Sequence, residues 1–220
     1  MSEFFVRLYK DSDHAAVRDL FAGGLQERSS VAVRSTFSLP RIWILIFGSF
    51  FILSILIGSV IISTLAVILE LIGLWLLIRN IYTSSALQDD MSDVKEHYLE
   101  RDGHCFWVAE SSGKVVGMVA AAPSSNHRGD RLVELKRLFI AKSHRRSGIG
   151  KVLCKTVIDF ARKRGCESVI LETSWIRREA HRLYEKMGFQ LKGTFLAPHF
   201  VAKYFNFRKF SYQYRIQTPR

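Results

Sequence analysis

Leu138-Phe139-Ile140, followed after four intervening residues by Arg145-Arg146-Ser147-Gly148-Ile149-Gly150, is the stretch on which the fold turns. An apolar strand over residues 132–140 ends, and a basic, glycine-containing loop follows. From 148 to 164 apolar residues at Ile149, Val152, Leu153, Val157 and Phe160 recur at helical spacing, with Gly165 as the stop. The first turn of such a helix presents unpaired N–H groups and the positive end of the helix dipole, which suits a pyrophosphate. Gly148 and Gly150 let the backbone approach an anion closely, and Arg145 and Arg146 add charge. A basic turn before any amphipathic helix would read the same way, so the loop alone assigns no ligand. Its spacing is neither Gly-x-x-x-x-Gly-Lys-Ser/Thr nor Gly-x-Gly-x-x-Gly. P-loop hydrolysis and Rossmann redox chemistry therefore lose support.

Outward from this stretch, strands and helices mix. Residues 4–8 alternate as a short strand, and Ser12 is placed to N-cap a helix with Ala16, Val17, Leu20 and Phe21 on one face. Residues 92–101 read as a polar helix. Residues 105–110 and 115–121 flank a Ser111-Ser112-Gly113-Lys114 turn, the pattern of a β-hairpin. Residues 168–173 form a strand and 179–187 a helix stopped by Gly188. Strand-like runs at 194–202 and 208–216 close the chain. The order predicts an α/β (α+β) fold on a single mixed sheet.

The 220 residues carry 32 Lys and Arg against 20 Asp and Glu, a net charge of +12, but the charges are segregated. Residues 42–78 hold one, Glu70. A run this long and apolar marks a membrane segment, and its singleness excludes a multi-pass transporter. One straight helix of this length would reach ~55 Å, nearly twice a ~30 Å hydrocarbon core, so two arms turning at Gly58-Ser59 are expected. Arg28, Arg34 and Arg41 before the block and Arg79 and Lys95 after it keep both ends on the cytosolic side. The apolar and aromatic content, 48% and 12%, excludes a disordered chain. Three cysteines, Cys105, Cys154 and Cys166, without zinc-type Cys/His spacing, indicate reduced thiols and no metal. His104, His127 and His199 lack carboxylate partners at a telling spacing and read as loop histidines. From Lys186 to the end seven basic residues and no acidic one are interleaved with Phe and Tyr. Beside an apolar anchor these suit anionic lipid headgroups or an anionic acceptor better than nucleic acid.

Arg145-x-x-Gly148-x-Gly150 after an apolar strand, with Leu183-Tyr184-Glu185-Lys186-Met187-Gly188-Phe189 after a Leu171-Glu172-Thr173-Ser174 strand, resembles the GCN5-related N-acetyltransferase (GNAT) superfamily. The likeness covers residues 3–30 and roughly 92–216. The apolar block inserted after the first helix is similar to the camello-like branch, which includes endoplasmic-reticulum cysteine S-conjugate and aspartate N-acetyltransferases. The resemblance implies three parts: a first strand and helix over residues 1–35, a membrane hairpin over 42–78 and an acetyl-CoA-binding core over 92–216. It also implies that the strand at 4–8 joins the sheet formed after residue 105, which a single membrane crossing would prevent.

It further implies an acetyl-CoA-dependent enzyme anchored in the endoplasmic reticulum bilayer with its catalytic part facing the cytosol. The acceptor would be the amine of a small molecule, with cysteine S-conjugates ahead of protein lysines and aspartate; the alternative is a non-catalytic, membrane-tethered interaction protein that retains the fold. By position, Leu138, Phe139 and Ile140 would pair with the pantetheine arm. The loop of Arg145, Arg146, Ser147, Gly148, Ile149 and Gly150 would hold the pyrophosphate. Glu134 matches the family's general base and Tyr184 its general acid, while the Ile140 N–H would polarise the acyl carbonyl. Residue by residue, a strand carboxylate paired with Lys136 or Arg137, and a core tyrosine, remain open readings of Glu134 and Tyr184. Arg177 departs from the family pattern, which in many members has an Asn that contacts coenzyme A.

Overall fold

The computed structural model of the chain describes residues 3–88, 90–124, 131–196 and 208–217. It divides into two compact units, Met1–Gly24 with Asp89–Arg220, and Leu25–Gln88. In the first unit lie β1 (Phe5–Leu8), β2 (Cys105–Ser111), β3 (Lys114–Pro123), β4 (Leu132–Ile140), β5 (Ser168–Ser174), β6 (Gln190–Leu196) and β7 (Arg208–Arg215). They form one sheet in the order β1-β2-β3-β4-β5-β7-β6. The β4–β5 pair is parallel and the other described pairs are antiparallel. β1 pairs with β2, Phe5 opposite Glu110 and Leu8 opposite Trp107, although the whole apolar block separates them in sequence.

A split in the sheet makes the site. β4 pairs with β5 only at Leu132–Ser168, Val133–Val169 and Glu134–Ile170. Beyond Glu134 the two strands part, while β4 continues along β3 and β5 along β7. The edge of β4 from Leu135 onward is therefore open on the β5 side. A bulge falls on the same stretch. Lys136 and Phe139 of β4 face Ala120 and Met118 of β3, so three steps on one strand meet two on the other, and Arg137 takes φ +54°.

Strand alternation sorts the core onto two faces. Trp107, Ala109, Val119, Ala121, Val133 and Leu135 pack with Ile149, Leu153 and Val157 of α5 (Ile149–Lys163). On the other face Phe106 meets Tyr9 and Tyr98 edge-on, and Phe139 meets Phe21 of α1 (His14–Phe37) at 5.0 Å. A Cβ on Gly24 would lie 2.2 Å from the Phe139 ring, so the glycine is what lets that ring seat against α1. Two further helices belong to this unit, α4 (Val94–Tyr98) and α6 (Arg178–Lys186).

The second unit contains α2 (Pro40–Ile57) and α3 (Val60–Gln88), joined at Gly58-Ser59, where Gly58 ends α2 at φ +70°. Both are long and apolar enough to cross a membrane, over Pro40–Ile57 and Val60–Asn80. Only 11% of either span is buried, whereas the core helix of a water-soluble protein would be mostly covered. The lone charge of the block is engaged across the turn: Ser49 Oγ donates to Glu70 Oε2 at 2.8 Å.

Several local expectations need correction. Ser12 does not cap α1. A 3-10 turn over Asp11–Asp13 precedes the helix, and Asp13 accepts from the Lys10 N–H at 2.9 Å. Asp13 is held there because Arg7 Nη2 also donates to it at 2.8 Å, and a charge-assisted bond outweighs a serine cap. Val17 and Phe21 are buried as expected, but Ala16 is exposed. The helix expected at 92–101 contracts to α4, capped by Asp93, whose side chain accepts from the Glu96 N–H. On α5, Val152 points outward and Ile158 inward. β6 begins at Gln190 rather than 194, and the remainder of the run to 202 lies outside the described residues.

Candidate active site

Strand geometry decides which main-chain groups line the open edge. Ala141 N–H donates to Val116 O on β3 at 2.8 Å. The Leu138 carbonyl instead accepts from Arg177 Nη2 at 3.0 Å, and the Ile140 carbonyl from Arg145 Nε at 3.4 Å. Successive residues of a strand turn their N–H and C=O to opposite edges. Leu138 and Ile140 therefore present both groups to the gap beyond β4, and Phe139 presents its own to β3. An amide-bearing chain laid in the gap would meet the N–H groups of Leu138 and Ile140 and would share their carbonyls with Arg177 and Arg145.

At the end of this edge stands the loop. Arg146 at φ +65° and Gly148 at φ +90° are both left-handed, which turns the chain sharply into α5. The N–H groups of Lys151 and Val152 bond back to the Gly148 carbonyl, so those of Ile149 and Gly150 lie at the helix end, ahead of its ladder. A Cβ on Gly148 would meet nothing within 4 Å, whereas one on Gly150 would press on Ile140 and Leu183 at 3.1 Å. The two glycines thus have separate duties: Gly148 supplies the turn and open space, and Gly150 lets α5 seat against β4 and α6. Ser147 Oγ donates to His144 O at 2.6 Å and braces the loop.

At the root of the split lies a cavity of about 640 Å³ lined by Glu134, Ile170, Glu172, Lys192, Ser211 and Gln213, among others. Glu134 lies 3.5 Å from Lys136 and Glu172 3.2 Å from Lys209. Burial pushes the Glu134 carboxyl above the ordinary glutamate range. Lys136 pulls it the other way, and the neighbouring Glu172 charge adds to the rise. A carboxylate so placed holds a proton more readily than a solvated one, which suits a group that must collect a proton from an amine. Of the two partners the sequence offered Glu134, Lys136 is the one it pairs with, and its residue also lines the cavity.

Tyr184 is 2% exposed and lies on α6, its ring 5.7 Å from Phe189 and 5.9 Å from Tyr212. The helix is fixed from beneath by a network that local sequence does not disclose. His181 Nε2 pairs with Ser174 O at 3.1 Å, His181 Nδ1 with the Tyr212 hydroxyl at 2.9 Å, and that hydroxyl donates to Glu185 at 3.0 Å. Arg177 stands at the N-cap position of the same helix, and its side chain reaches across the split to Leu138 and over the Phe139 ring at 5.2 Å. Cys154 is buried, and burial pushes its thiol up to about 12, so it is neutral at physiological pH and no nucleophile. No cluster of three or more potential metal ligands occurs among the described residues. His104 is half-buried, its Nδ1 3.0 Å from Asp102 O, while His127 and His199 lie outside the described residues.

The site thus combines a parallel pair that parts after three residues, an open edge and a helix entered through a left-handed glycine. Residues 74–189 match the acetyltransferase (GNAT) family. The chain is 36% identical to "Probable N-acetyltransferase camello" of Xenopus tropicalis, covering 99% of this chain and 100% of that one. It is 39% identical to mouse "N-acetyltransferase 8F1" (89% and 90% covered) and 38% identical to human "N-acetyltransferase 8B" (88% and 87%). Among solved structures it resembles a GNAT-family acetyltransferase from Staphylococcus aureus Mu50, with TM-score 0.59 and 16% identity over 95% of this chain and 98% of that one. The likeness to yncA of Salmonella typhimurium, solved with acetyl-CoA, has TM-score 0.59 and 14% identity over 98% and 95%. The chain belongs to the GNAT family, among the camello-like N-acetyltransferases, and is an N-acetyltransferase.

Proposed function

We propose that this enzyme is a membrane-anchored, acetyl-CoA-dependent N-acetyltransferase acting on the amine of a small α-amino compound, with cysteine S-conjugates as the preferred acceptors. The observation that carries the reading is the open β4 edge between an anion-suited loop and a carboxylate-lined cavity. The residues present fit acetyl-CoA: Leu138 and Ile140 would hold the pantetheine amides, and the loop from Arg145 to Gly150 the pyrophosphate. Acetyl-CoA supplies the activated acyl group. Glu134 takes the proton from the acceptor ammonium, the Ile140 N–H donates toward the acyl oxygen, and the Tyr184 hydroxyl donates to the departing thiolate. Glu134 and Glu172 favour an ammonium and Lys192 a carboxylate, and together they match the two charges of an amino acid.

Thiol release from acetyl-CoA, followed with S-benzylcysteine, aspartate and a lysine peptide, tests the acceptor. S-benzylcysteine should lead in kcat/KM by ~10-fold or more, because its apolar arm adds buried area that aspartate lacks. Turnover confined to the lysine peptide would replace this reading with a protein acetyltransferase.

Strand pairing supports the anchor's form. β1 precedes the apolar helices and β2 follows them, yet they share a ladder. If α2 and α3 enter a bilayer, both strands must stand on one side of it, which an even number of passes provides. The flanking arginines and the supply of acetyl-CoA make that side the cytosol, and by resemblance the membrane is the endoplasmic reticulum. Tags at Met1 and Arg220 should both be digested when protease is added to sealed microsomes. Protection of either tag until detergent is added would exclude the hairpin.

A further inference from the structure

One buried group of charges takes no part in the chemistry above. Asp90 is 8% exposed and Tyr98 2%. Arg137 Nε donates to Asp90 Oδ2 at 2.8 Å, Arg137 Nη2 donates to Oδ1, and the Tyr98 hydroxyl donates to Oδ2. The guanidinium also stands 5.1 Å over the Phe21 ring. Arg137 is the bulge residue of β4, left-handed at φ +54°, a conformation that residues other than glycine seldom adopt. It sits three residues past the last β4–β5 pair and directly before Leu138.

From these contacts we infer that Asp90 and Arg137 are positioning residues for acetyl transfer: their ion pair holds the β4 bulge and so aims the main-chain groups of Leu138 and Ile140 into the split. In an unbulged strand, residues 136 and 137 would fall on opposite faces. The Arg137 side chain would then enter the apolar layer shared by Leu135 and Leu138, and the buried Asp90 would lose its cation. The pair thus favours the bulged register over the regular one. A one-residue slip from Arg137 onward would exchange the edges to which Leu138, Phe139 and Ile140 turn their amides. The inference rests on the proposal that these amides receive the acyl-pantetheine arm.

Two double variants of the full chain separate geometry from stability: Asp90→Asn with Arg137→Gly, and Asp90→Asn with Arg137→Ala. Both lack the ion pair, but only glycine accepts a positive φ without strain. With the acceptor selected by the screen, the alanine pair should show kcat/KM for acetyl-CoA ~10-fold or more below the glycine pair, with KM for the acceptor within ~3-fold. Equal kcat/KM for acetyl-CoA in the two, or a loss confined to the acceptor's KM, overturns the inference. If either double variant fails to fold, Asp90→Asn alone decides: kcat/KM for acetyl-CoA should fall ~5-fold with little change in the acceptor's KM, and an unchanged kcat/KM overturns the inference. Absence of thiol release by the unsubstituted chain would instead overturn the functional proposal, and that is read before any variant is made.

Discussion

Gly148→Glu should abolish acetyl-CoA binding, raising Kd by more than ~100-fold. The position has φ +90°, open space where the side chain would start, and the first N–H groups of α5 beside it. A carboxylate there opposes a pyrophosphate at close range. Like charges ~4 Å apart cost about 4 kcal/mol per pair at the effective dielectric of a protein surface, and each 1.4 kcal/mol is tenfold in affinity. Gly148→Ala controls for the backbone. It carries the strain of a left-handed residue, ~1–2 kcal/mol, without the charge, and nothing within 4 Å obstructs its Cβ. Calorimetric titration should therefore find the alanine variant within ~10-fold of the parent. Arg145→Glu should follow the glutamate at 148, since it reverses a charge on the same loop. If alanine and glutamate at 148 weaken binding equally, the loop's role is conformational and the anion belongs elsewhere.

The elements nearest the chemistry are the most legible in the sequence. β4, α5 and α6 lie within a residue or two of their expected limits because apolar spacing and the glycines at 148, 165 and 188 mark them. The order of the last two strands is not legible. β7 inserts between β5 and β6 through pairings of distant residues such as Leu171 with Tyr212, which local pattern does not encode. β6 reads late because the bulge between Leu191 and Gly193 interrupts its alternation. The bulge in β4 does leave a trace: from Val133 to Lys136 apolar and polar residues alternate, and Arg137, polar directly after Lys136, breaks that alternation. Its partner Asp90, 47 residues earlier, has no such mark. Glu172 and His181 escape a sequence reading for a related reason. Each acts through neighbours on other strands, Lys209 and Tyr212, and nothing in their own surroundings sets them apart.

That same dependence on distant neighbours shapes what removing the proposed acid and base should do. Glu134→Gln and Tyr184→Phe should each lower kcat by ~100-fold, the scale of a single general acid or base, with acetyl-CoA binding changed little. The pH profile distinguishes the base. As the proposed base, Glu134 is competent only after it loses its proton. Because burial raises its pKa, kcat/KM of the parent should climb with pH through a limb above the ordinary glutamate value, and Glu134→Gln should flatten that limb. The stability sign is opposite to that of the usual salt-bridged carboxylate. A raised pKa means the folded chain binds the proton more tightly than the unfolded one, so this group costs stability as pH rises from the ordinary glutamate value through the shifted one. Glu134→Gln should then melt no lower than the parent at pH ~8 despite its lost activity. Tyr184→Phe keeps the ring against Phe189 and Tyr212 and removes only the hydroxyl. If kcat and acetyl-CoA affinity fall together in that variant, Tyr184 serves packing, and another group protonates the thiolate.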